Sequence, residues 1–365
     1  MSGRARFLIV GSGWRSLYYV RIAKALPQAF ELCAMLCRTQ EKAVRISREN
    51  GIRTSTSAEE CIAMKPDFVV VAVDKVSLAP VAMEWARRGF CVLMETPAAV
   101  DVKTLESLWN LHRDGARLVV CEQYRRYPEN IAVLNLLDSG ILGEVGCANV
   151  SLAHDYHGSS LMRAFLKQGP SCSFTVRARS YSFPTARTLT RTEEFFDGQL
   201  VSKVRTVASF EFADGKVGLY DFDGEQYRSP IRRNTLKLQG TRGEVIDRTV
   251  HHLDGSNHPV SSNLEFKSRM VQTGSDNPNL RSINVIEDIV FEGRSLYSPL
   301  FEGADLAQDE SAIASMMKDT CAYARGLGPS PYPLEEALTD AYMALLLKQA
   351  ADSGETVSSE SQSWF

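Results

Sequence analysis

The hydrophobic positions in the first 125 residues form short apolar runs that alternate with amphipathic stretches. The run Asp67–Val73, for example, is apolar at every position after its first residue, which is typical of a strand covered on both faces. Strands of this kind, separated by helices, form βαβ units around a parallel sheet. We predict strands at Arg6–Val10, Phe30–Leu36, Asp67–Val73, Cys91–Met94 and Arg117–Cys121, with helices between them.

The pattern changes after residue 125. A predicted helix, Pro128–Ser139, is followed by β-rich runs with few helices between them, and Asp214-Gly215 between two such runs favours a hairpin. Residues 254–280 are rich in Ser, Asn, Gly and Asp, so we predict a long loop there. The last predicted helices are Ala312–Arg325 and Leu334–Ala351.

These patterns predict an α/β chain of two domains. A parallel-sheet domain is expected over residues 1–125, and an α+β domain with a large, mostly antiparallel open sheet over residues 126–365. We expect the helix at about 334–352 to pack back on the first domain.

Composition excludes several classes of protein. Of 365 residues, 44% are hydrophobic and 23% are charged, so a mostly disordered chain is excluded. The net charge of -3 gives no basic footprint, and we expect no nucleic-acid partner. Apolar runs are too short for a bilayer span, so no membrane partner is expected either. Eight cysteines without a CxxC pair indicate reduced thiols, no metal site and a cytoplasmic location.

The segment Gly11–Ser16 reads GSGWRS and stands between the first predicted strand and a helix. Two glycines permit a tight turn and a close backbone approach to a pyrophosphate, whose charge the helix N-terminus stabilises. This is the fingerprint of a Rossmann domain with Ser at the third glycine position; a purely structural turn is the alternative. The predicted cofactor contacts in this loop are Gly11, Ser12, Gly13, Trp14 and Arg15.

The end of the second strand indicates which dinucleotide is preferred. It lacks the acidic residue that would hold the ribose 2′-hydroxyl of NAD and continues as Cys37, Arg38 and Thr39. Arg38 could pair with a 2′-phosphate, and Thr39 could add a hydroxyl donor. The cofactor is therefore predicted to be NADP or NAD, with NADP favoured. The alternative is that Arg38 is only a solvated loop residue.

The chain resembles the Gfo/Idh/MocA family of NAD(P)-dependent oxidoreductases. The resemblance is strongest over residues 5–145, where five segments carry it: Gly11–Ser16, Lys65–Asp67, Gly89–Pro97, Arg125–Tyr127 and Asp138–Val145. It implies a Rossmann domain followed by a domain whose open sheet often forms an oligomer interface. We therefore expect a homodimer or homotetramer through the C-terminal sheet, and substrates among sugars, polyols and related alcohols or carbonyl compounds.

The resemblance also implies roles near the nicotinamide. Glu95 is expected to contact the nicotinamide ribose, and the other expected contacts are Val73, Asp74 and Thr96. Two departures from the family pattern stand out. Thr96 replaces the lysine of the usual Glu-Lys-Pro motif, and Ala153 stands where an Asp usually precedes the family's histidine, which matches His157.

Proton transfer is therefore expected to depend on other residues. A predicted strand, Ala148–Ala153, runs into a loop with several proton-competent side chains. His157 is the first choice as acid/base, because imidazole titrates near neutral pH, and the other members of the loop are His154, Asp155 and Tyr156. His154 or Tyr156 could assist, and Asp155 could orient a ring or bind substrate. A polar loop with satisfied hydrogen bonds is the alternative.

Two further substrate contacts are expected after the strand Arg117–Cys121. Tyr124 and Arg126 follow its carboxyl end, where open α/β sheets bind ligands.

Three functions remain open at this point. The leading one is an NAD(P)-dependent oxidoreductase that transfers hydride between the nicotinamide and a sugar-like or polyol-like alcohol or ketone. The second is an NAD-dependent glycosidase or eliminase that retains its cofactor and oxidises its substrate only transiently. The third is a catalytically silent dinucleotide-binding protein.

Overall fold

The computed structural model describes residues 3–365 and divides them into two compact units. The first unit contains the described residues up to Arg126, together with Leu300–Ala341 and Trp364. The second contains Tyr127–Pro299, Tyr342–Ser363 and Phe365. The sequence analysis predicted a single boundary at residue 125, whereas in this division Leu300–Ala341 groups with the first unit.

The first unit is built on a six-stranded sheet in the order β3-β2-β1-β4-β5-β6, in which every pair of neighbours is parallel. This is the strand order of a doubly wound dinucleotide-binding fold, so the predicted Rossmann domain is confirmed. The short β3 was not predicted, because two residues carry no periodicity. The strands are β1 (Ala5–Val10), β2 (Phe30–Leu36), β3 (Thr54–Ser55), β4 (Phe68–Val71), β5 (Cys91–Met94) and β6 (Leu118–Val120).

Helices alternate with these strands, and their starts are set by local capping. At Thr39, Ser57, Asp74 and Asp101 the side chain accepts a hydrogen bond from a main-chain N–H in the first turn, which satisfies a donor the helix leaves unpaired. The helices are α1 (Ser16–Ala25), α2 (Gln40–Asn50), α3 (Ala58–Ala63), α4 (Lys75–Arg87) and α5 (Val102–Arg113), followed by a 3₁₀ helix at Tyr124–Arg126.

The second unit begins with α6 (Pro128–Asp138), β7 (Val145–Ser151) and α7 (Asp155–Leu166). A series of strands follows: β8 (Phe174–Ala186), β9 (Leu200–Phe212), β10 (Val217–Asp223), β11 (Thr235–Gly240), β12 (Gly243–Ile246), β13 (Thr249–Leu253) and β14 (Pro259–Asn263). A 3₁₀ helix, Gly224–Tyr227, follows β10. The hairpin predicted at Asp214-Gly215 is confirmed, because β9 and β10 pair antiparallel across it.

The predicted loop at residues 254–280 is wrong. This segment contains the whole of β14 and of β15 (Glu265–Gln272), and β15 forms a three-stranded antiparallel sheet with β16 (Ser282–Phe291) and β17 (Arg294–Tyr297). Both β14 and β15 are exposed or half-buried along their whole length. Main-chain hydrogen bonds hold these strands, and neither strand has a face that is buried in a core. Their side chains therefore lack the alternation of hydrophobic and polar residues by which a strand is recognised in a sequence.

The remaining elements are α8 (Gln308–Ala324), α9 (Leu334–Ser353) and β18 (Val357–Ser358). The last strand completes a nine-stranded sheet in the order β14-β13-β12-β11-β7-β10-β9-β8-β18. Its neighbours pair antiparallel, apart from the parallel pair β7 and β10, so the predicted large and mostly antiparallel sheet is confirmed. No helix within residues 3–365 is both long and apolar enough to span a bilayer.

Two glycines allow α7 to lie close against this sheet. A Cβ atom at Gly218 of β10 would lie 2.0 Å from the sulfur of Met162, and one at Gly158 of α7 would lie 2.7 Å from the ring of Tyr220. Real Cβ atoms essentially never make contacts that short, so a larger residue at either position would force the Met162 side chain or the Tyr220 ring to move. This close packing places the first turn of α7 beside the end of β10.

Candidate functional site

The fingerprint loop of the first unit has the backbone that its glycines predict. Gly11 adopts φ +116° directly after β1, and a Cβ there would lie 2.2 Å from the main-chain oxygen of Ala72. Only glycine fits this position. A Cβ at Gly13, in contrast, meets no atom within 4 Å. The loop therefore passes tightly over the sheet at Gly11 and leaves open space in front of Gly13.

Ser16 takes the place of the third glycine of the fingerprint. It is completely buried, and its hydroxyl donates to the main-chain oxygen of Ala72 at 3.4 Å. A small side chain here keeps α1 close to the sheet. The helix begins at Ser16 without a side-chain cap, which suits an anion at the helix start. The N–H groups of Leu17 and Tyr18 bond to the main-chain oxygens of Trp14 and Arg15. Trp14 is about half exposed in the same loop.

Two predicted cofactor residues, Arg15 and Glu95, are bonded to each other. Arg15 Nε donates to Glu95 Oε1 at 2.9 Å, and Tyr19 donates its hydroxyl proton to the same oxygen at 2.6 Å. Arg15 Nη1 also donates to Asp309 Oδ2 at 2.5 Å, and Gln123 Nε2 donates to Asp309 Oδ1 at 3.1 Å. We call these five residues the ion-pair cluster.

Burial and charge have opposite effects in the ion-pair cluster. Burial disfavours the charged form of Arg15, but Asp309 and Glu95 beside it hold the pKa of Arg15 well above its ordinary value. Burial raises the pKa of Tyr19 well above its usual range, so Tyr19 stays a neutral donor at physiological pH. Asp309 was not predicted, because it lies on α8, 294 residues from Arg15.

The end of β2 presents the residues predicted to select the cofactor. Arg38 is exposed, and among residues 3–365 no carboxylate pairs with its guanidinium. Thr39 caps α2 by accepting from the main-chain N–H of Lys42 at 3.3 Å. Cys37 is buried, and burial raises the pKa of its thiol, an effect opposed by a hydrogen bond with Ser12 of the fingerprint loop.

Three of the predicted cofactor contacts lie at the ends of β4 and β5. Val73 and Thr96 are half-buried, and Asp74 is exposed. Asp74 caps α4 by accepting from the main-chain N–H of Ser77 at 3.0 Å, and hydrogen bonds with Ser77 lower the pKa of its carboxyl. Capping thus accounts for Asp74 without a ligand.

The segment after β6 contains the two predicted substrate contacts. Tyr124 is half-buried, and its main-chain N–H donates to the buried Glu122 at 3.1 Å. Burial raises the pKa of Glu122 well above its ordinary value. Arg126 donates to Ser315 Oγ at 2.6 Å and to Asp319 Oδ2 at 2.5 Å. The Arg126 guanidinium therefore holds α8 within the first unit.

The proton-competent residues of the second unit lie on a helix rather than in a loop. His154 is extended and precedes α7, which begins at Asp155, so the predicted loop over His154–His157 is wrong. The first turn forms because the N–H of His157 bonds to the oxygen of His154 at 3.0 Å. Asp155 is exposed at φ +37°, whereas Tyr156 and His157 are buried.

Aromatic side chains pack closely around His154. Its Nε2 lies 2.9 Å from the hydroxyl of Tyr156, and its Nδ1 is bonded to the hydroxyl of Tyr227. The ring centroid of His157 is 4.4 Å from that of Tyr156 and 5.1 Å from that of His154. We call these four residues the His–Tyr cluster. Clusters of three or more His, Cys, Asp or Glu suited to a metal are absent from residues 3–365.

Tyr220 and Tyr227 were missed by the sequence analysis. Tyr220 accepts from the main-chain N–H of Asp155 at 3.0 Å, and Tyr227 accepts from that of His154 at 2.9 Å. Both tyrosines therefore satisfy donors at the start of α7. They follow His154 by more than 60 residues, and no local pattern connects them to it.

Residues 5–122 match the family model described as an oxidoreductase family with an NAD-binding Rossmann fold, the Gfo/Idh/MocA model. The match covers the Rossmann part of the chain. The Gfo/Idh/MocA resemblance of the sequence is thereby confirmed, and the protein is an NAD(P)-binding oxidoreductase. A search of the curated proteins found no match.

Solved structures of this fold cover almost the whole chain. GenD2 from gentamicin A biosynthesis, in complex with NAD, is 18% identical with a TM-score of 0.65, over 99% of this chain and 98% of GenD2. The WlbA dehydrogenase from Bordetella pertussis, in complex with NADH and UDP-GlcNAcA, is 17% identical with a TM-score of 0.64, over 99% of both chains.

A third similar structure is the apo scyllo-inositol dehydrogenase from Lactobacillus casei. It is 14% identical with a TM-score of 0.65, over 98% of this chain and 99% of that enzyme. At these identities the likeness shows a shared fold.

Proposed function

We propose that this oxidoreductase transfers hydride between a nicotinamide cofactor and a sugar-like or polyol-like alcohol or ketone. The observation that carries the proposal is the fingerprint loop, tight at Gly11 and open at Gly13, in a domain that matches an oxidoreductase family. The substrate class is supported by two neighbours of the same fold, an inositol dehydrogenase and a dehydrogenase in complex with a UDP-sugar acid.

The residues of the first unit fit a dinucleotide. The open space at Gly13 and the uncapped start of α1 suit a pyrophosphate. Arg38 is exposed and unpaired by any described carboxylate, and no acidic residue ends β2, which favours a 2′-phosphate and hence NADP. When bound, the nicotinamide accepts a hydride from the carbinol carbon or returns one to the carbonyl carbon.

The proton of the substrate hydroxyl requires a separate acceptor. We assign this role to His157, with Tyr156 and His154 assisting, because the family lysine is replaced by Thr96 and the His–Tyr cluster concentrates proton-competent groups in one place. Asp155 and Tyr124 are retained as substrate contacts. Arg126 is not retained, because Ser315 and Asp319 already bind its guanidinium.

A second candidate is a redox-neutral elimination or glycoside cleavage with retained cofactor. The presence of Thr96 favours it, since a hydroxyl cannot replace a lysine as a cationic acid at neutral pH.

Purified protein incubated with NADP or NAD and a panel of polyols, sugars and aryl glycosides separates these candidates. Net formation of reduced nicotinamide supports the oxidoreductase. Release of the aryl alcohol without net reduction supports the second candidate, and dinucleotide binding with neither reaction would leave a silent binding protein.

We further propose that the open face of the nine-stranded sheet forms a homodimer or homotetramer. Tyr181, Val207 and Leu219 share this face through the pairing of β8, β9 and β10 and are exposed, as expected of an interface. Sedimentation of the protein and of a Tyr181→Asp variant tests this assembly. A cytoplasmic location is supported by the eight cysteines, which are free thiols.

A further inference from the structure

A cavity of about 290 Å³ lies within the first unit, on the opposite edge of the parallel sheet from the fingerprint loop. Its walls come from the beginnings of β1 and β2 and from α8, whereas the fingerprint loop follows the end of β1. The cavity is therefore separate from the proposed dinucleotide site. Its lining includes Gln28, Ala29, Phe30, Phe301, Lys318 and Ala322.

Aromatic side chains form much of the apolar part of this lining. Phe30 is buried, and its ring centroid lies 5.8 Å from that of the half-buried Phe301, with 59° between the two ring planes. Leu327 adds exposed apolar surface. Aromatic groups pack favourably against one another in tilted arrangements of this kind, so the lining favours a ligand with an aromatic ring.

Two polar side chains of the lining remain available to a ligand. Within residues 3–365, no carboxylate forms an ion pair with Lys318, and the side-chain amide of Gln28 makes no hydrogen bond. Lys318 is exposed, and its Nζ lies 6.0 Å from the centroid of the Phe301 ring.

The other charged residues of the lining each have a partner of opposite charge: Arg4 pairs with Glu31 at 2.9 Å, Asp319 with Arg126 at 2.5 Å and Arg325 with Asp67 at 2.8 Å. Lys318 therefore leaves the cavity with one uncompensated positive charge. An ammonium group and an amide N–H are both donors, and a carboxylate accepts from both.

We propose that this cavity binds a small aromatic monocarboxylate. The carboxylate accepts hydrogen bonds from Lys318 and from the Gln28 amide, and the ring packs against Phe30 and Phe301. The cavity is at the lower end of the range of about 300–1,000 Å³ for small-molecule pockets, so it suits a ligand with a single ring. This site goes beyond the proposed function and does not depend on it.

Benzoate is the probe, and benzyl alcohol is its uncharged counterpart with the same ring. The full chain, free of dinucleotide, is labelled with carbon-13 in its alanine methyl groups, so that Ala29 and Ala322 report binding by NMR. Ala29→Ser and Ala322→Ser variants identify the two signals. We expect saturable shifts of both signals with benzoate, with a Kd on the order of 1 mM, and weaker binding of benzyl alcohol.

Lys318→Met removes the charge and keeps an unbranched side chain beside Phe301. The Kd of benzoate should rise by about threefold to fivefold, as expected for an exposed ion pair, while the Kd of benzyl alcohol should not change. Lys103→Met is the matched control, because Lys103 is an exposed lysine on α5 outside the lining of this cavity. It should bind benzoate as the parent protein does.

The absence of saturable shifts at Ala29 and Ala322 in the parent protein would overturn the proposal. Equal benzoate affinities in the parent and in Lys318→Met, or benzyl alcohol binding as tightly as benzoate, would also overturn it. If benzoate binds as expected while no dinucleotide binds to the same protein, the proposed function fails and this site stands.

Discussion

The two candidate regions keep their side chains in place by different physical means. The ion-pair cluster of the first unit fixes Arg15 between Glu95 and Asp309 with charged hydrogen bonds of 2.9 and 2.5 Å. The His–Tyr cluster of the second unit contains phenols and imidazoles, and its bonds join groups that each carry an exchangeable proton. Charge provides rigidity in the first region, and the second retains groups that can transfer protons.

This difference teaches caution about charged residues near a nucleotide fingerprint. Arg15 and Glu95 both lie where the family resemblance expects cofactor contacts, yet each has a structural partner in the other. A buried guanidinium without a carboxylate would be strongly destabilising. The sequence position of a charged residue therefore predicts a cofactor contact only when that residue is not already needed as the partner of another buried charge.

The largest expected effect tests the loop that the ion-pair cluster supports. Gly13→Val adds a side chain in open space, so we expect the domain to stay folded while a pyrophosphate is excluded. Dinucleotide binding should be abolished in a calorimetric titration, a loss of affinity of more than about 10⁴-fold, or ~5.5 kcal/mol.

Gly146→Val is the control for this substitution, because a Cβ at Gly146 also meets no atom within 4 Å and the residue lies in β7. Its affinity and melting temperature should match those of the parent. Normal affinity in Gly13→Val would remove the fingerprint loop from the proposed site.

The next effect tests the His–Tyr cluster. His157→Ala removes the proposed acid/base, so turnover with a substrate found in the panel should fall by roughly 10²–10⁴-fold, with dinucleotide affinity unchanged. His252→Ala, at another buried histidine of the second unit, should retain turnover. Loss of stability without loss of turnover in His157→Ala would show that the ring only packs against the helix.

A smaller effect is expected from breaking the ion-pair cluster. Asp309→Asn leaves the mostly buried Arg15 with one carboxylate, and the free energy of unfolding should fall by about 3 kcal/mol in chemical denaturation. Asp138→Asn breaks an exposed pair with Lys167 and should cost less than about 1 kcal/mol. Equal losses of unfolding free energy in the two variants would mean that the buried pair of Arg15 with Asp309 stabilises the protein no more than an exposed ion pair does.

The smallest effect concerns cofactor choice. If Arg38 pairs with a 2′-phosphate, Arg38→Ala should lose about 1–3 kcal/mol of the preference for NADP over NAD, and the preference should shrink with added salt. Arg45→Ala, an exposed arginine on α2, serves as the control. Equal affinities for both cofactors in the parent protein would refute the assignment of NADP.

The sequence by itself determined the features that depend on neighbouring residues. Apolar runs predicted β4 and β5, because strands buried on both faces need hydrophobic side chains at every position. The fingerprint predicted a turn that requires glycine at position 11, and the observed φ of +116° agrees. The Asp214-Gly215 hairpin followed from local turn chemistry in the same way.

Only the tertiary structure decided the partners of the candidate residues. Asp309 reaches Arg15 across 294 positions of the chain, and Tyr227 reaches His154 across 73. Such contacts depend on how α8 and the turn after β10 pack. This packing produces no periodic pattern in the sequence near either partner. The polar strands β14 and β15 were hidden for a related reason: main-chain hydrogen bonds hold them, and every non-proline residue can supply those bonds.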